Sequence, residues 1–294
     1  MEYKELGIKI RKDVSEYLEV FLDTLPIAGY FETLFDGEDS QRTALGDDTL
    51  FHVYLDPNDS QTEIQLLIFL SLVGANCTSK LVDTQEFALA YKEFYKPFLV
   101  GRIWLIPEWE RDTWIPKEIS QEVTLIINPG MAFGTGHHET TKLLLEALSV
   151  TKSLPNKACD IGCGSGILSL ALLLLGAKDV YAIDIDSNSV RATWENYKLN
   201  PITKSKFRAE EASFDAPVLK EETFDLAIAN ITHAVLTQNL YHLQKIQSPR
   251  FLFSGIITEK KDEFLMNLEE SIPGKLAYAK ELNEWWVLEW IRLS

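Results

Sequence analysis

Asp160-Ile161-Gly162-Cys163-Gly164-Ser165-Gly166 is the stretch that decides the fold. It follows Lys157 to Ile161, which reads as a short strand, and leads into Gly166 to Leu175, which reads as a helix. Glycines at alternate positions let the chain reverse sharply with no Cβ in the way, so a ligand can approach backbone N–H groups. Outward from this turn, Val180 to Ile185 has strand character and Ser187 is placed to cap a helix reaching Leu199. Strands are expected at Phe207 to Glu210 and Leu226 to Ile231, then a helix over His233 to Ile246. A strand at Phe251 to Ile256 and a polar helix over Glu259 to Ser271 come next. Two strands, near Leu276 to Lys280 and Trp285 to Leu293, close the chain around a polar turn at Glu281 to Asn283. This alternation predicts a Rossmann-like, seven-stranded, mostly parallel sheet with a C-terminal antiparallel hairpin at its edge. Ligands of such sheets sit at the C-terminal ends of the strands.

The N-terminal third has a different rhythm. Strand character at Lys4 to Ile10 gives way to a helical pattern from Lys12 to Leu25, in which Val14, Leu18, Phe21 and Leu22 share one face. Ile27 to Phe35 and Leu50 to Leu55 read as strands, separated by a polar loop over Asp36 to Asp48. An amphipathic helix, Gln61 to Val73, precedes a short strand near Lys80 to Val82. The order β-α-β-β-α-β matches a small ferredoxin-like α+β domain. The expected division is residues 1–86 for this domain, 87–122 for an aromatic-rich linker, and 123–294 for the ligand-binding domain.

Composition narrows the class. Against 44 Asp plus Glu stand 28 Lys plus Arg, a formal charge of −16. Such a surface repels phosphate backbones, so no direct nucleic-acid binding is expected, and a basic partner is favoured. Cys77, Cys159 and Cys163 form neither a disulfide framework nor a zinc pattern, which fits a reducing compartment. The first residues carry no apolar core of signal-peptide length, and the run Ile167 to Leu175 falls short of the roughly 20 residues a membrane span needs. The expectation is a cytoplasmic protein with no membrane association.

Four groups of residues carry chemistry. In the glycine-rich turn, Gly162 and Gly164 bring backbone to the ligand. A dinucleotide fingerprint would place its third glycine at Ile167 or Ser169, and neither fits. Asp160 would repel a pyrophosphate yet hold an ammonium group. The turn therefore favours a methyltransferase over an NAD-dependent oxidoreductase, which stays as the alternative. Asp184, at the end of the next strand, can accept hydrogen bonds from both ribose hydroxyls; Asp186 reads as structural. Asn230, at the end of the fourth parallel strand, can orient an amine nucleophile through its amide oxygen. The segment Asn128 to Thr141 (NPGMAFGTGHHETT) is rich in glycine yet contains Met131 and Phe133, as expected of a loop folding over a ligand. Its His137-His138-Glu139 cluster lacks the H-E-x-x-H spacing, so no metal site is expected. His233 reads as a surface histidine at a helix start, with a general base as the other reading.

Taken together, these residues resemble the bacterial ribosomal protein L-eleven methyltransferase family. The resemblance rests on NPGMAFGTGHHETT (128–141), DIGCGSGIL (160–168), YAIDID (181–186) and ANI (229–231). It extends to YKEFYKPFLVGR (91–102), Ser254-Gly255-Ile256 and the tail Glu284-Trp285-Trp286-Val287-Leu288. It implies S-adenosylmethionine as cofactor, with Thr141, Gly162, Asp184 and Asn230 matching the family's contacts and Phe133, Gly134 and Thr135 matching its loop over the cofactor. It implies methylation of lysine side chains and the α-amine of ribosomal protein L-eleven, held by the N-terminal domain; another basic protein is the alternative substrate. Asn128 stands where an aspartate is common, and Ile231-Thr232-His233 replace the usual small apolar residues.

Overall fold

The computed structural model describes all residues except 1, 23–24, 28, 34, 37–42, 45–46, 84–91, 93–94, 115–121, 130–133, 152 and 294. The chain divides into two compact units, Met1–Tyr95 and Lys96–Ser294.

The first unit runs β1 (Glu2–Arg11), a helix (Lys12–Leu22), β2 (Gly29–Thr33), the two-residue strands β3 (Phe35–Asp36) and β4 (Thr43–Ala44), β5 (Asp48–Leu55), a helix (Ser60–Val73) and β6 (Asn76–Asp83). Its sheet has the order β2-β5-β1-β6, with every neighbouring pair antiparallel. This is the ferredoxin-like arrangement expected from the element order. Alternation along β1 places Leu6, Ile8 and Ile10 on one face, where they pack with Phe51, Val53 and Leu55 of β5 and with Leu18, Leu22, Leu66 and Leu70 of the helices. Each such buried side chain contributes roughly 1.5–3 kcal/mol. The second helix is bounded by chemistry visible in the sequence: Asp59 accepts from the Thr62 N–H at its start, and Gly74 ends it at φ 69°. The last strand is longer than its sequence reading, because all eight residues from Asn76, opposite Lys9, to Asp83, opposite Glu2, pair along β1.

The second unit holds the large sheet, in the order β12-β11-β10-β13-β14-β16-β15. Its strands are β10 (Lys157–Ile161), β11 (Asp179–Asp184), β12 (Lys206–Glu211), β13 (Leu226–Asn230), β14 (Arg250–Ile257), β15 (Gly274–Leu282) and β16 (Trp285–Arg292). The first five are parallel, and β16 runs antiparallel to both β14 and β15. The chain winds one way from β10 to β12, then returns to place β13 on the other side of β10. The strand order therefore reverses between β10 and β13, and sheets of this kind take their ligands at the carboxyl ends of the strands beside such a reversal.

Some boundaries differ from the sequence reading. Lys96 to Trp114, expected to belong to a linker, lies within the second unit. There β7 (Phe98–Val100), β8 (Ile103–Pro107) and β9 (Val123–Ile127) form a small sheet whose Val100, Ile103, Leu105 and Leu125 are buried. The helix expected over His233 to Ile246 is two short helices, His233–Gln238 and Leu240–Leu243, broken at Asn239. The cap of the helix Ser187–Leu199 is Asp186, which accepts from the Asn188 N–H at 2.9 Å; Ser187 is its first helical residue. The closing turn is centred on Asn283 and Glu284, both at positive φ.

Candidate active site

The glycine turn is held by the strands around it. Gly162, Gly164 and Gly166 all sit at positive φ (73°, 54° and 79°), a region costly for residues with a Cβ. The N–H groups of Gly162 and Cys163 both donate to the Ile183 carbonyl, at 2.8 and 2.9 Å, which ties the turn to β11. A Cβ on Gly162 would come within 2.8 Å of the Ile231 side chain, and one on Gly166 within 2.8 Å of Thr193. The turn thus lies directly between β11 and the loop after β13.

Two carboxylates face this turn. Asp160 is fully buried; its Oδ2 accepts from the Ser169 N–H at 3.1 Å and from the Ser169 hydroxyl at 2.6 Å. Its Oδ1 meets no donor among the described residues. Burial pushes its pKa up to about 6; the Ser169 bonds oppose this and the charge of Asp184 adds to it. A buried carboxylate oxygen without a donor is destabilising by itself, and a cationic or N–H-bearing ligand group relieves it. Asp184 ends β11, and its two oxygens accept separately: Oδ1 from the Asp186 N–H and Oδ2 from the Gly164 N–H, each at 2.9 Å. Burial raises its pKa as well. Each oxygen keeps a lone pair for a hydroxyl donor. Next to it Ile185 is 76% exposed, an apolar surface just past the end of β11 that the sequence reading passed over.

Asn230 ends β13, on the opposite side of β10 from Asp184. Its Nδ2 donates to the Thr141 hydroxyl at 3.3 Å. Thr141 is buried in the first turn of the helix Glu139–Val150, which His138 caps by accepting the Thr140 N–H on Nδ1. The His138 ring also meets Trp285 edge-on at 5.2 Å, while His137 packs against Phe98 at 4.3 Å. Burial drives the pKa of both histidines down, His137 to about 4. These are packed, neutral rings. His233 begins its short helix as expected, its pKa lowered by burial and by Lys260.

Of the predicted cofactor residues, Asp160, Gly162, Gly164, Asp184, Thr141 and Asn230 fall at the carboxyl ends of β10, β11 and β13 or on the helix facing them. Gly134 joins them through its carbonyl, which accepts from the Ser165 hydroxyl at 2.6 Å. Thr135 follows it; Phe133 and Met131 lie outside the described residues.

A second set of side chains escaped the sequence reading. On the helix Ser187–Leu199 and at its C-terminal end, Thr193, Asn196 and Asn200 are all buried, at 0%, 1% and 8% exposure. Thr193 donates to the Gly164 carbonyl at 2.9 Å. Asn196 accepts the Asn128 N–H at 2.7 Å and donates to the Ser165 carbonyl at 2.9 Å. Asn200 accepts the Ile126 N–H at 2.9 Å and donates to the Ile126 carbonyl at 2.7 Å. The available signal was their spacing of three and four residues, which puts polar groups on the face the helix must bury.

Comparison with known proteins identifies the family. The family model of ribosomal protein L11 methyltransferase (PrmA) matches residues 14–292. The ribosomal protein L11 methyltransferase of Leptospira interrogans (strain Fiocruz L1-130) is 42% identical over 298 residues, covering 99% of each chain. That of Ruminiclostridium cellulolyticum is 32% identical over 313 residues, covering 97% of this chain and 96% of its own. Among solved structures, the ribosomal protein L11 methylase of Lactobacillus delbrueckii subsp. bulgaricus matches with a TM-score of 0.60 at 29% identity, over 68% of this chain and all of its own. With a match of this extent to the family model and to full-length relatives, and with a cleft built at the point where its strand order reverses, the chain belongs to the ribosomal protein L11 methyltransferase family.

Proposed function

We propose that this chain transfers methyl groups from S-adenosylmethionine to amino groups of ribosomal protein L11, on lysine side chains and the α-amine. The observation that carries the reading is the placement of Asn230 beside Thr141, across the strand-order reversal from Asp160 and Asp184.

The residues present fit S-adenosylmethionine. Asp184 supplies acceptors for two ribose hydroxyls, and Ile185 offers a purine an apolar surface. The lone Oδ1 of Asp160 answers an ammonium group, and Gly162 leaves open the space that a Cβ would take against Ile231. When bound, the cofactor supplies a methyl group on a positively charged sulfur. The chain's own part is alignment. Because Nδ2 of Asn230 is committed to Thr141, its Oδ1 is the atom available to accept an N–H from the incoming amine. Holding the amine this way turns a bimolecular encounter into an oriented one. A lysine amine titrates near about 10.4, so it must arrive neutral, and partial burial favours that form. Its proton goes to water.

The N-terminal unit is assigned to recruiting the protein substrate, and the surplus of acidic residues suits a Lys- and Arg-rich partner. No described helix is long and apolar enough to cross a membrane; a cytoplasmic location, where ribosomal proteins are made, fits the reading. The test is transfer of labelled methyl from S-adenosylmethionine to purified L11 by the full chain and by Asn230→Ala. Labelling by the full chain with severe loss in the variant is expected. Equal labelling by both would remove Asn230 from its role, and no labelling despite cofactor binding would point to another basic protein as substrate.

A further inference from the structure

We propose that Asn196 is a positioning residue for the cofactor: it fixes the two walls of the cleft against one another and so sets how tightly S-adenosylmethionine is held, without touching it. The inference rests on the functional reading above and extends it to a residue remote from the reacting atoms.

Two segments must keep a constant separation for the cleft to accept one ligand. One is the glycine turn after β10, the other is Asn128 together with the stretch from Gly134 to Thr141. They are far apart in sequence and belong to different sheets, so no ladder of β hydrogen bonds joins them. Asn196 bridges them with both ends of one amide. Its Oδ1 accepts the Asn128 N–H at 2.7 Å, and its Nδ2 donates to the Ser165 carbonyl at 2.9 Å. Ser165 completes the circuit from the turn side, its hydroxyl donating to the Gly134 carbonyl at 2.6 Å. Both flanks of residues 129–133 are therefore tied to the same residue of the glycine turn, one through Asn196 and one directly.

The bridge is itself held. Asn196 is 1% exposed and Ser165 2%. The Asn196 carbonyl accepts from Asn200 at 2.8 Å, and one helical turn earlier Thr193 donates to the Gly164 carbonyl. A buried amide has fixed donors and acceptors, so the bridge demands an oxygen toward Asn128 and an NH2 toward Ser165 at once. Aspartate keeps the first and lacks the second; alanine lacks both. In water-free surroundings a lost partner leaves a backbone group unpaired, and the segment moves to repair it. Preorganisation of this kind appears in ligand affinity more than in the chemical step.

The experiment compares Asn196→Ala, Asn196→Asp and Ser165→Ala with the parent, in the full chain. Affinity for S-adenosylhomocysteine is measured by calorimetry, and amide hydrogen exchange across residues 126–136 is followed without ligand. Steady-state kinetics with L11 complete the set. Asn196→Ala is expected to weaken binding by about tenfold or more and to raise the KM for the cofactor in parallel. The kcat stays within about twofold and the KM for L11 is unchanged. Exchange at Asn128 should speed up in Asn196→Ala, and exchange next to Gly134 should speed up in Ser165→Ala. Asn196→Asp should fall between parent and alanine in affinity. Asn196→Asp, which keeps the bond to Asn128 and loses the one to Ser165, keeps the assay informative if Asn196→Ala does not fold, and parental affinity in it would overturn the proposal too. Parental affinity in a folded Asn196→Ala, or a fall in kcat with affinity unchanged, would overturn the proposal. If the parent itself binds no S-adenosylhomocysteine, the functional reading fails first; slow exchange at Asn128 in the parent would then show the bridge to be structural only.

Discussion

Asn230 donates from Nδ2 to the Thr141 hydroxyl across 3.3 Å, joining the last residue of β13 to the first turn of the helix Glu139–Val150. One hydrogen bond thereby decides which end of the Asn230 amide points away from Thr141. In Thr141→Val, a change of nearly constant volume, the amide loses that instruction while the packing persists. The expected result is a fall of about tenfold in kcat on L11, against on the order of a hundredfold or more for Asn230→Ala. Both should remain folded by circular dichroism. An unchanged rate in Thr141→Val would mean that the bond does not orient the amide.

Two glycines at similar φ should respond very differently to alanine. At Gly255 (φ 86°) a Cβ would lie 2.2 Å from the Ile231 carbonyl oxygen, a backbone atom that cannot swing aside. At Gly74 (φ 69°) nothing lies within 4 Å. Gly74→Ala should destabilise by about 1 kcal/mol, the left-handed penalty alone. Gly255→Ala should destabilise by about 3 kcal/mol or more, as steric overlap adds to strain. All seven tryptophans lie in the second unit, so urea unfolding followed by their fluorescence reports Gly255, and circular dichroism reports Gly74. Equal midpoint shifts would contradict the account.

On the proposed reading, Asp160 should link cofactor affinity to pH. Burial raises its pKa to about 6, so its charge is present at pH 7.5 and largely absent at pH 5. An ammonium group needs that charge. Affinity for S-adenosylhomocysteine should therefore drop as pH falls through 6 in the parent, and should be weaker and flatter with pH in Asp160→Asn. Stability has the opposite sign. The folded chain holds this proton more tightly than the unfolded chain, so in the absence of ligand the carboxylate is a burden above pH 6 that is relieved as pH falls toward 4. Asp160→Asn should be at least as heat-stable as the parent at pH 7.5 without ligand. A less stable variant, or parallel pH profiles of affinity, would count against the assignment.

The closing hairpin carries removable strain. Asn283 (φ 47°) and Glu284 (φ 69°) form its two-residue turn, a geometry that suits asparagine first and glycine second. Glu284→Gly should stabilise by roughly 1 kcal/mol, partly offset by the greater freedom of glycine when unfolded. The Glu284 carbonyl still accepts from the Thr258 N–H in the variant. Thermal unfolding checks this; a lower midpoint would show that the Glu284 side chain matters more than its backbone.

The parts of this molecule legible in sequence were those written in local rules. Gly162, Gly164 and Gly166 declared the turn because no other residue tolerates their backbone angles so readily. Asp184 and Asn230 were found because apolar strands end on them. The ferredoxin-like unit followed from the order of its elements, β-α-β-β-α-β, each marked by its own hydrophobic period. What was missed lies in contacts between distant segments. Nothing local tells that Asn196 meets Asn128, 68 residues away. The break at Asn239 was hidden because His233 to Ile246 keeps helical spacing across it. Ser187 looked like a cap because serine is a good one, yet Asp186 stands one residue earlier and takes the role. The strands β7 and β8 were hidden by their aromatic content, which reads equally well as a packed linker.

Asn200 has a consequence of another kind. β9 is the last strand of its small sheet, so one side of it faces away from the ladder. A side-chain amide has the same donor and acceptor as a peptide group, and Asn200 gives both to Ile126, at 2.9 and 2.7 Å. It imitates one residue of a neighbouring strand that the chain never has to supply. An exposed edge is an invitation to any passing strand, including one from another copy of the same protein. Here a single asparagine at the end of a helix occupies the place where such an intruder would begin to pair.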